Sequence, residues 1–492
     1  VRHCEGFGAV NTSFFGDMLQ TIAERGRALL DRTRNGRERR DRRETAEQRT
    51  ASLVELCEEL LSGRGEASGV ALAREILTRY AELATAPRVA FFEALATDFG
   101  PDHARLDAAI AAWRVAPSDA TAADLHQASE PRRQELFRRL NLAPGGTAAL
   151  VRMREQLIDA LDHHEDLAAV DAAFNHLFSS WFNRGFLVLR RIDWSSPAIV
   201  LEKIIRYEAV HRIRGWDDLR RRIDPPDRRC YAFFHPALVD DPLIFVEVAL
   251  TSEIPSAIAP ILTVQRDVIE PDKANTAVFY SISNCQRGLT GVSFGHFLIK
   301  QVVEEIAREN PRLSTFVTLS PASGFAEWLR REREDEASKV LTAADRAALV
   351  NLDIPGWWQT ETTRNGVEEP LLRAAARYFL HARTKGGSPA DAVARFHLGN
   401  GARLERLNWL ADGSERAMAQ AHGLMVNYLY ILDDIEKNHE AYAQQRTVVA
   451  SKAVTALARA PVISSDQGRA LRNMGPGRPA ALCPISHSKK VI

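Results

Sequence analysis

Thr276-Ala-Val-Phe-Tyr-Ser-Ile-Ser283 runs into Asn284-Cys-Gln-Arg-Gly-Leu-Thr-Gly-Val-Ser-Phe-Gly295, which overlaps Phe294-Gly-His-Phe-Leu-Ile-Lys-Gln-Val-Val-Glu-Glu-Ile306; Thr315-Phe-Val-Thr-Leu319 lies beyond. The outer segments are rich in β-branched and aromatic residues, as strands are. Between them apolar residues fall at 294, 297, 298, 299, 302, 303 and 306, the spacing of one helix face. Strand, helix and strand of these lengths predict a right-handed crossover joining two parallel strands. Glycines 288, 291 and 295 fall where strand turns into helix. Small residues there let the backbone approach a phosphate, and free N–H groups at a helix start point at it; a plain turn is the alternative.

Outward from this core, Cys230 to Phe234 and Leu243 to Ala249 read as further strands, so a mixed α/β region begins after about Phe186. Helices return around Leu371 to Ala382 and Asp434 to Leu457. Before that region, from about Leu19 to Arg184, the chain is Ala, Leu, Glu and Arg with apolar residues at threes and fours, as in Ala51-Ser-Leu-Val-Glu-Leu-Cys-Glu-Glu-Leu-Leu61. This predicts an all-helical domain, broken at Gly63 to Gly69 and at Ala143-Pro-Gly-Gly146 into an up-and-down bundle. The expected division is therefore a helical domain over 1–188, an α/β domain over 189–460 and a flexible tail over 461–492, giving an α+β chain overall.

The 492 residues are 45% hydrophobic and 26% charged, with 64 basic and 64 acidic side chains. Such a chain can bury a sizeable core, and its balanced charge draws it to neither nucleic acid nor an anionic membrane. The Arg25 to Arg49 stretch is interleaved with Glu24, Asp31, Glu38, Asp41, Glu44 and Glu47, which suits a solvated helix face better than a nucleic-acid arm. Cys4, Cys57, Cys230, Cys285 and Cys483 are scattered without a C-x-x-C pair, against a disulfide framework or a zinc site. His163-His164 lacks the spacing of a metal-binding helix and reads as surface helix. No apolar run is long enough to span a bilayer, and a cytosolic protein is expected.

Three segments carry candidate chemistry. Gly291-Val-Ser-Phe-Gly295 matches the G-x-S-x-G elbow of serine hydrolases, with Ser293 as nucleophile, but that elbow needs its strand to end at the serine and here Gln286 to Gly291 intervene. Ser320 lies just beyond the carboxyl end of the second parallel strand, the edge at which open sheets bind ligands, or else caps a turn before Pro321. His397, in Phe396-His-Leu-Gly-Asn-Gly401, reads as part of a glycine-containing loop, where a hydrogen-bonded structural role is the common alternative to catalysis. The same holds for His422.

Together the chain resembles the malonyl-CoA decarboxylase family. The resemblance rests on Asp217-Asp-Leu-Arg-Arg-Arg-Ile223, Arg229-Cys-Tyr-Ala-Phe-Phe-His235, Phe279-Tyr-Ser-Ile-Ser283, Gln286 to Lys300, Leu319-Ser-Pro-Ala-Ser-Gly-Phe325, Phe396 to Gly401, Asn408-Trp-Leu-Ala-Asp412 and Gly423-Leu-Met-Val-Asn-Tyr428. It covers about 190 to 455. It implies a helical N-terminal domain that mediates association into a homodimer or homotetramer, and a catalytic domain of the GNAT (N-acetyltransferase) fold. It also implies that the coenzyme A pyrophosphate lies on Thr290, Gly291, Val292, Ser293, Phe294, Gly295 and His296, with Gly288 before them. The implied catalytic pair is Ser320, as proton acceptor and relay, with His397 as proton donor. Some members carry an acidic residue where this chain has Ser293, so the pair is expected to lack a charged third member.

For such an enzyme, loss of carbon dioxide from malonyl-CoA leaves an enolate that must be stabilised and then protonated on carbon, which requires no metal or cofactor. A developing oxyanion gains ~3 kcal/mol per well-placed donor, and general acid catalysis supplies ~10²- to 10⁴-fold. The rival readings are an N-acyltransferase drawing on an acyl-CoA donor, and an acyl-CoA-binding sensor without turnover. Neither nucleic acid nor a membrane is an expected partner.

Overall fold

The computed structural model describes residues 46–459 apart from 64, 293 and 295–297. Most of the Arg25 to Arg49 stretch, Cys4 and Cys483, the loop residues Ser293, Gly295 and His296, and the expected tail over 461–492 lie outside the described residues.

From 46 to 181 the chain is helical, as expected: α1 (Ala46–Leu61), α2 (Glu66–Ala81), α3 (Thr85–Thr97), α4 (His103–Val115), α5 (Asp119–Ser129), α6 (Arg132–Asn141), α7 (Gly146–Leu161) and α8 (Ala168–Trp181). The cause is visible in which residues are buried. In α8 these are Val170, Ala173, Phe174, Leu177 and Phe178, a stripe at threes and fours. Phe137 of α6 stacks on Phe174 with centroids 4.1 Å apart. Two expectations are corrected. Gly69 lies inside α2, its N–H bonded to the Gly65 carbonyl, so the break ends before Glu66. His163 and His164 follow the end of α7 rather than lying on a helix, because the chain turns there to bury Leu167.

After this region come β1 (Val188–Ile192), α9 (Ala198–Tyr207), α10 (Trp216–Ile223), β2 (Arg228–Phe234), β3 (Pro242–Thr251), α11 (Ala259–Leu262), β4 (Thr276–Asn284), α12 (Leu298–Glu309), β5 (Thr315–Thr318) and β6 (Ser320–Pro321). The chain continues with α13 (Phe325–Glu334), α14 (Ala343–Leu349), α15 (Glu361–His381), α16 (Ala392–Gly399), β7 (Arg403–Asn408), α17 (Glu415–Ala421), β8 (Met425–Tyr430), α18 (Ile435–Gln445) and α19 (Lys452–Arg459). No helix among the described residues is long and apolar enough to cross a membrane.

Two compact units emerge. The first takes the described part of Val1–Leu250 with Val268–Lys273 and Ser281–Pro311. In it β1, β2 and β3 pair antiparallel, with Val188 opposite Phe234 and Cys230 opposite Glu247. At the far end of β4 the Cys285 N–H bonds to the Leu243 carbonyl of β3 at 2.8 Å. The α9 and α10 side chains Val200, Leu201, Ile204 and Leu219 cover this sheet. Within it lie the buried thiols Cys230 and Cys285, and the Glu247 carboxyl, which burial pushes up to about 8 although Arg222 stands 3.0 Å away.

The second unit takes Thr251–Asp267, Ala274–Tyr280 and the chain from Arg312. Here the first half of β4 pairs parallel with β5, Thr276 opposite Thr315 through Phe279 opposite Thr318, the arrangement that the crossover predicts. β5, β6 and β7 all pair antiparallel with β8. The expected helix from Asp434 to Leu457 is two helices. Arg446 ends α18 with a left-handed φ of 55°, and Val449 and Ser451 bond with Leu404 of β7, so the intervening chain runs extended.

Candidate active site

Ser320 and His397 lie 77 positions apart in sequence and meet in the second unit. Ser320 opens β6, with Leu319 alone between it and the end of β5. His397 lies in the last turn of α16 rather than in a loop, because Asp391 caps the helix start by accepting from the Ala394 N–H at 2.8 Å, while Gly399 still has helical geometry. The chain leaves the helix at Gly401, whose φ is +82° and whose hydrogen faces the Ile435 carbonyl so closely that a Cβ would stand 2.2 Å from that oxygen. Glycine at 401 is thus a packing requirement.

The Ser320 hydroxyl donates to Thr318 Oγ1 at 2.9 Å and stands 3.1 Å from His397 Nε2. The Tyr430 hydroxyl is 2.8 Å from Nδ1. The Tyr428 ring stacks on the imidazole with centroids 4.6 Å apart. At each ring nitrogen the roles of donor and acceptor follow the imidazole tautomer: a proton on Nε2 makes Ser320 the acceptor and Tyr430 the donor to Nδ1. Burial pushes the imidazole down to about 3 and both tyrosine hydroxyls up. The site therefore consists of neutral groups at ordinary pH. It can hold one imidazole tautomer and pass a proton along Tyr430, His397 and Ser320. Tyr430, Tyr428 and Thr318 escaped the sequence reading, although Tyr428 and Tyr430 share one strand face and Thr318 stands two residues from Ser320. Period-two alternation was the available signal.

The glycine-bearing turn belongs to the first unit. Gly288 is buried against α7, where a Cβ would stand 2.0 Å from the Val151 carbonyl oxygen, so packing alone explains that glycine. Arg154 of α7 donates to the Gly288 carbonyl at 3.0 Å and is paired with Asp171 of α8 at 2.8 Å. Arg287 pairs with Asp159. Thr290 donates from its hydroxyl to the Arg287 carbonyl at 2.6 Å. Gly291 is exposed with φ +79°, Val292 is buried and Phe294 half-buried. β4 ends at Asn284 and a 3-10 turn over Arg287–Leu289 follows, so no strand leads into a hydrolase elbow. His422 ends α17 in the left-handed region, packs against Trp357, and is pushed down to about 4 by burial and by Arg333.

A family model described as the malonyl-CoA decarboxylase C-terminal domain matches residues 185–468, and one for the N-terminal domain matches 99–182. Mitochondrial malonyl-CoA decarboxylase from Anser anser anser is 35% identical over 395 residues, covering 73% of this chain and 77% of that protein. The Rattus norvegicus protein is 34% identical over 404 residues, covering 76% and 82%. Among solved structures, malonyl-CoA decarboxylase from Rhodopseudomonas palustris superposes with a TM-score of 0.81 at 59% identity, over 82% of this chain and 98% of that one. The Agrobacterium vitis structure gives 0.79 at 60% identity, over 83% and 99%. The chain belongs to the malonyl-CoA decarboxylase family.

Proposed function

We propose that the protein is a carboxy-lyase that converts malonyl-CoA to acetyl-CoA and carbon dioxide, with His397 as proton donor and Ser320 as its hydrogen-bonded acceptor and relay. The observation that carries this reading is the buried 3.1 Å contact between the Ser320 hydroxyl and His397 Nε2. The bond from the malonyl α-carbon to its carboxylate breaks, and its electron pair moves onto the thioester oxygen as an enolate. One proton then goes to carbon, so each turnover takes up one proton. The unliganded imidazole is neutral. The acid form accordingly arises as the malonyl anion binds, since a negative charge beside the ring offsets part of the desolvation cost. Tyr430 holds Nδ1 throughout and takes the orienting place that an acidic third member would otherwise fill.

In the same reading the coenzyme A pyrophosphate lies on the loop Thr290 to His296 behind Gly288. Residues 189–460 form the catalytic domain and 1–188 associate into a homodimer or homotetramer in the cytoplasm; light scattering checks the assembly. Incubation with malonyl-CoA and no acceptor tests the reaction: acetyl-CoA should form, and an acyltransferase that needs an amine would leave the substrate intact. His397→Asn and Ser320→Ala should each lose at least ~100-fold in turnover, the scale of general acid catalysis. Near wild-type rates in both would remove the pair.

A further inference from the structure

Pairing between β5 and β8 is regular at Phe316 opposite Tyr430 and Val317 opposite Leu429, and resumes at Ser320 opposite Val426. Thr318 and Leu319 fall in the gap, and side chains there replace the backbone ladder. The Tyr428 N–H donates to Thr318 Oγ1 at 3.1 Å, and the Thr318 carbonyl accepts from Asn427 Nδ2 at 2.7 Å. Asn427 is itself fixed, because its Oδ1 accepts from Asn408 Nδ2 at 2.8 Å and from Arg406 Nε at 3.0 Å. Thr318 and Asn427 are fully buried. A hydroxyl oxygen has two acceptor positions, and in Thr318 the Tyr428 N–H and the Ser320 O–H fill both.

We propose that Thr318 is a positioning residue whose hydroxyl captures the Ser320 proton, so that Ser320 turns a lone pair to His397 Nε2–H and holds the imidazole in the Nε2–H tautomer. This inference rests on the proposed role of the Ser320–His397 pair. A valine at 318 keeps the branched shape and removes the acceptor. Ser320 is then free to donate to Nε2, which would reverse the tautomer and turn the hydroxyl out of line.

The test is a double-mutant cycle on the full chain with malonyl-CoA as substrate. Thr318→Val should lower kcat by roughly 10- to 100-fold with KM nearly unchanged, the scale of a small misplacement of reacting groups. Thr318→Ser, which keeps the hydroxyl, should restore most of the rate. In a Ser320→Ala background Thr318→Val should change kcat less than about twofold, because the hydroxyl it orients is gone. A general packing defect would cost the same in both backgrounds, and that result would overturn the proposal, as would failure of serine to restore the rate. Ring nitrogen-15 shifts of His397 in the wild-type protein, assigned against His397→Asn, are independent of how the valine variant folds: an Nδ1–H tautomer would overturn the proposal. If Ser320→Ala itself retains the wild-type rate, the pair fails; if Ser320→Ala is inactive while Thr318→Val is not, Thr318 alone fails.

Discussion

The turn at Gly288 and the pair at Ser320 are both buried, but different forces hold them. The turn is held by backbone contact and charge: its glycine touches the Val151 carbonyl, and Arg154, paired with Asp171, binds the turn from behind. The pair is held by neutral hydroxyls and a stacked ring, and among the described residues no ionised group is in hydrogen-bonding contact with the imidazole. A charged neighbour would set the proton affinity of His397 in advance. A neutral, dry surrounding leaves the imidazole uncharged, its basicity depressed by burial. The turn is held by close packing together with a partly buried ion pair.

The largest expected effect breaks the turn. Gly288→Ala places a methyl group 2.0 Å from the Val151 oxygen and 2.9 Å from its carbonyl carbon, both main-chain atoms that no rotamer change can move aside. A cost of at least about 3 kcal/mol is expected in urea unfolding. Among the described residues a Cβ at Gly291 meets nothing nearer than 3.9 Å, so Gly291→Ala has its φ of +79° against it and about 1 kcal/mol is expected. If Gly288→Ala instead leaves unfolding unchanged and raises KM alone, close approach to a ligand is the reason for that glycine, and the contrast between the two regions fails.

Next in size is Arg154→Met, which keeps the aliphatic stem and removes the guanidinium. It leaves the buried Gly288 carbonyl without that donor and the half-buried Asp171 without its partner. The expected loss is about 2–3 kcal/mol, seen as a lower midpoint of thermal unfolding. Arg154→Lys should recover only part of it, because one ammonium does not reproduce the two-sided fork. An unchanged midpoint would mean that glycine packing holds the turn without help.

The two regions were also unequally legible. The parallel pair and its crossover helix showed in advance because Thr276 to Ser283 and Thr315 to Leu319 are rich in β-branched and aromatic residues, and Leu298, Ile299, Val302, Val303 and Ile306 mark a single helix stripe. The turn's glycines showed too, yet Gly288 answers to Val151 in a helix far upstream, a contact that local spacing does not encode. β1 and β7 were missed because charged side chains, Arg190 and Arg191 in one and Arg403, Glu405 and Arg406 in the other, interrupt their apolar pattern. His397 was read as loop because Gly399 and Gly401 follow it, whereas the capping bond from Asp391 carries the helix through both 397 and 399. Tyr430, which touches the imidazole, and Thr318, which holds Ser320, come from separate strands, so the network around the ring exists only after the sheet has formed.

The smallest effect per step concerns pH, and it tests whether the pair is as dry as its contacts imply. Burial holds the folded imidazole at about 3, against an ordinary 6.5 in the unfolded chain. Between those values the unfolded state binds the extra proton and the folded state does not, so stability falls as pH drops from about 6.5 towards 3, and is fully present above 6.5. The slope from this group reaches at most ~1.4 kcal/mol per pH unit. His422, pushed down to about 4, and His235, lowered by burial, share the sign, whereas Glu247, pushed up to about 8, opposes it over much of the same range, so the absolute slope belongs to no single group. The difference between wild type and His397→Asn isolates one of them, because asparagine does not titrate. Urea midpoints compared from about pH 7 to about pH 5 should therefore converge as the wild type loses its advantage in acid. Parallel curves would mean that His397 keeps its ordinary proton affinity when folded; charge, rather than burial among hydroxyls, would then govern the pair as it governs the turn.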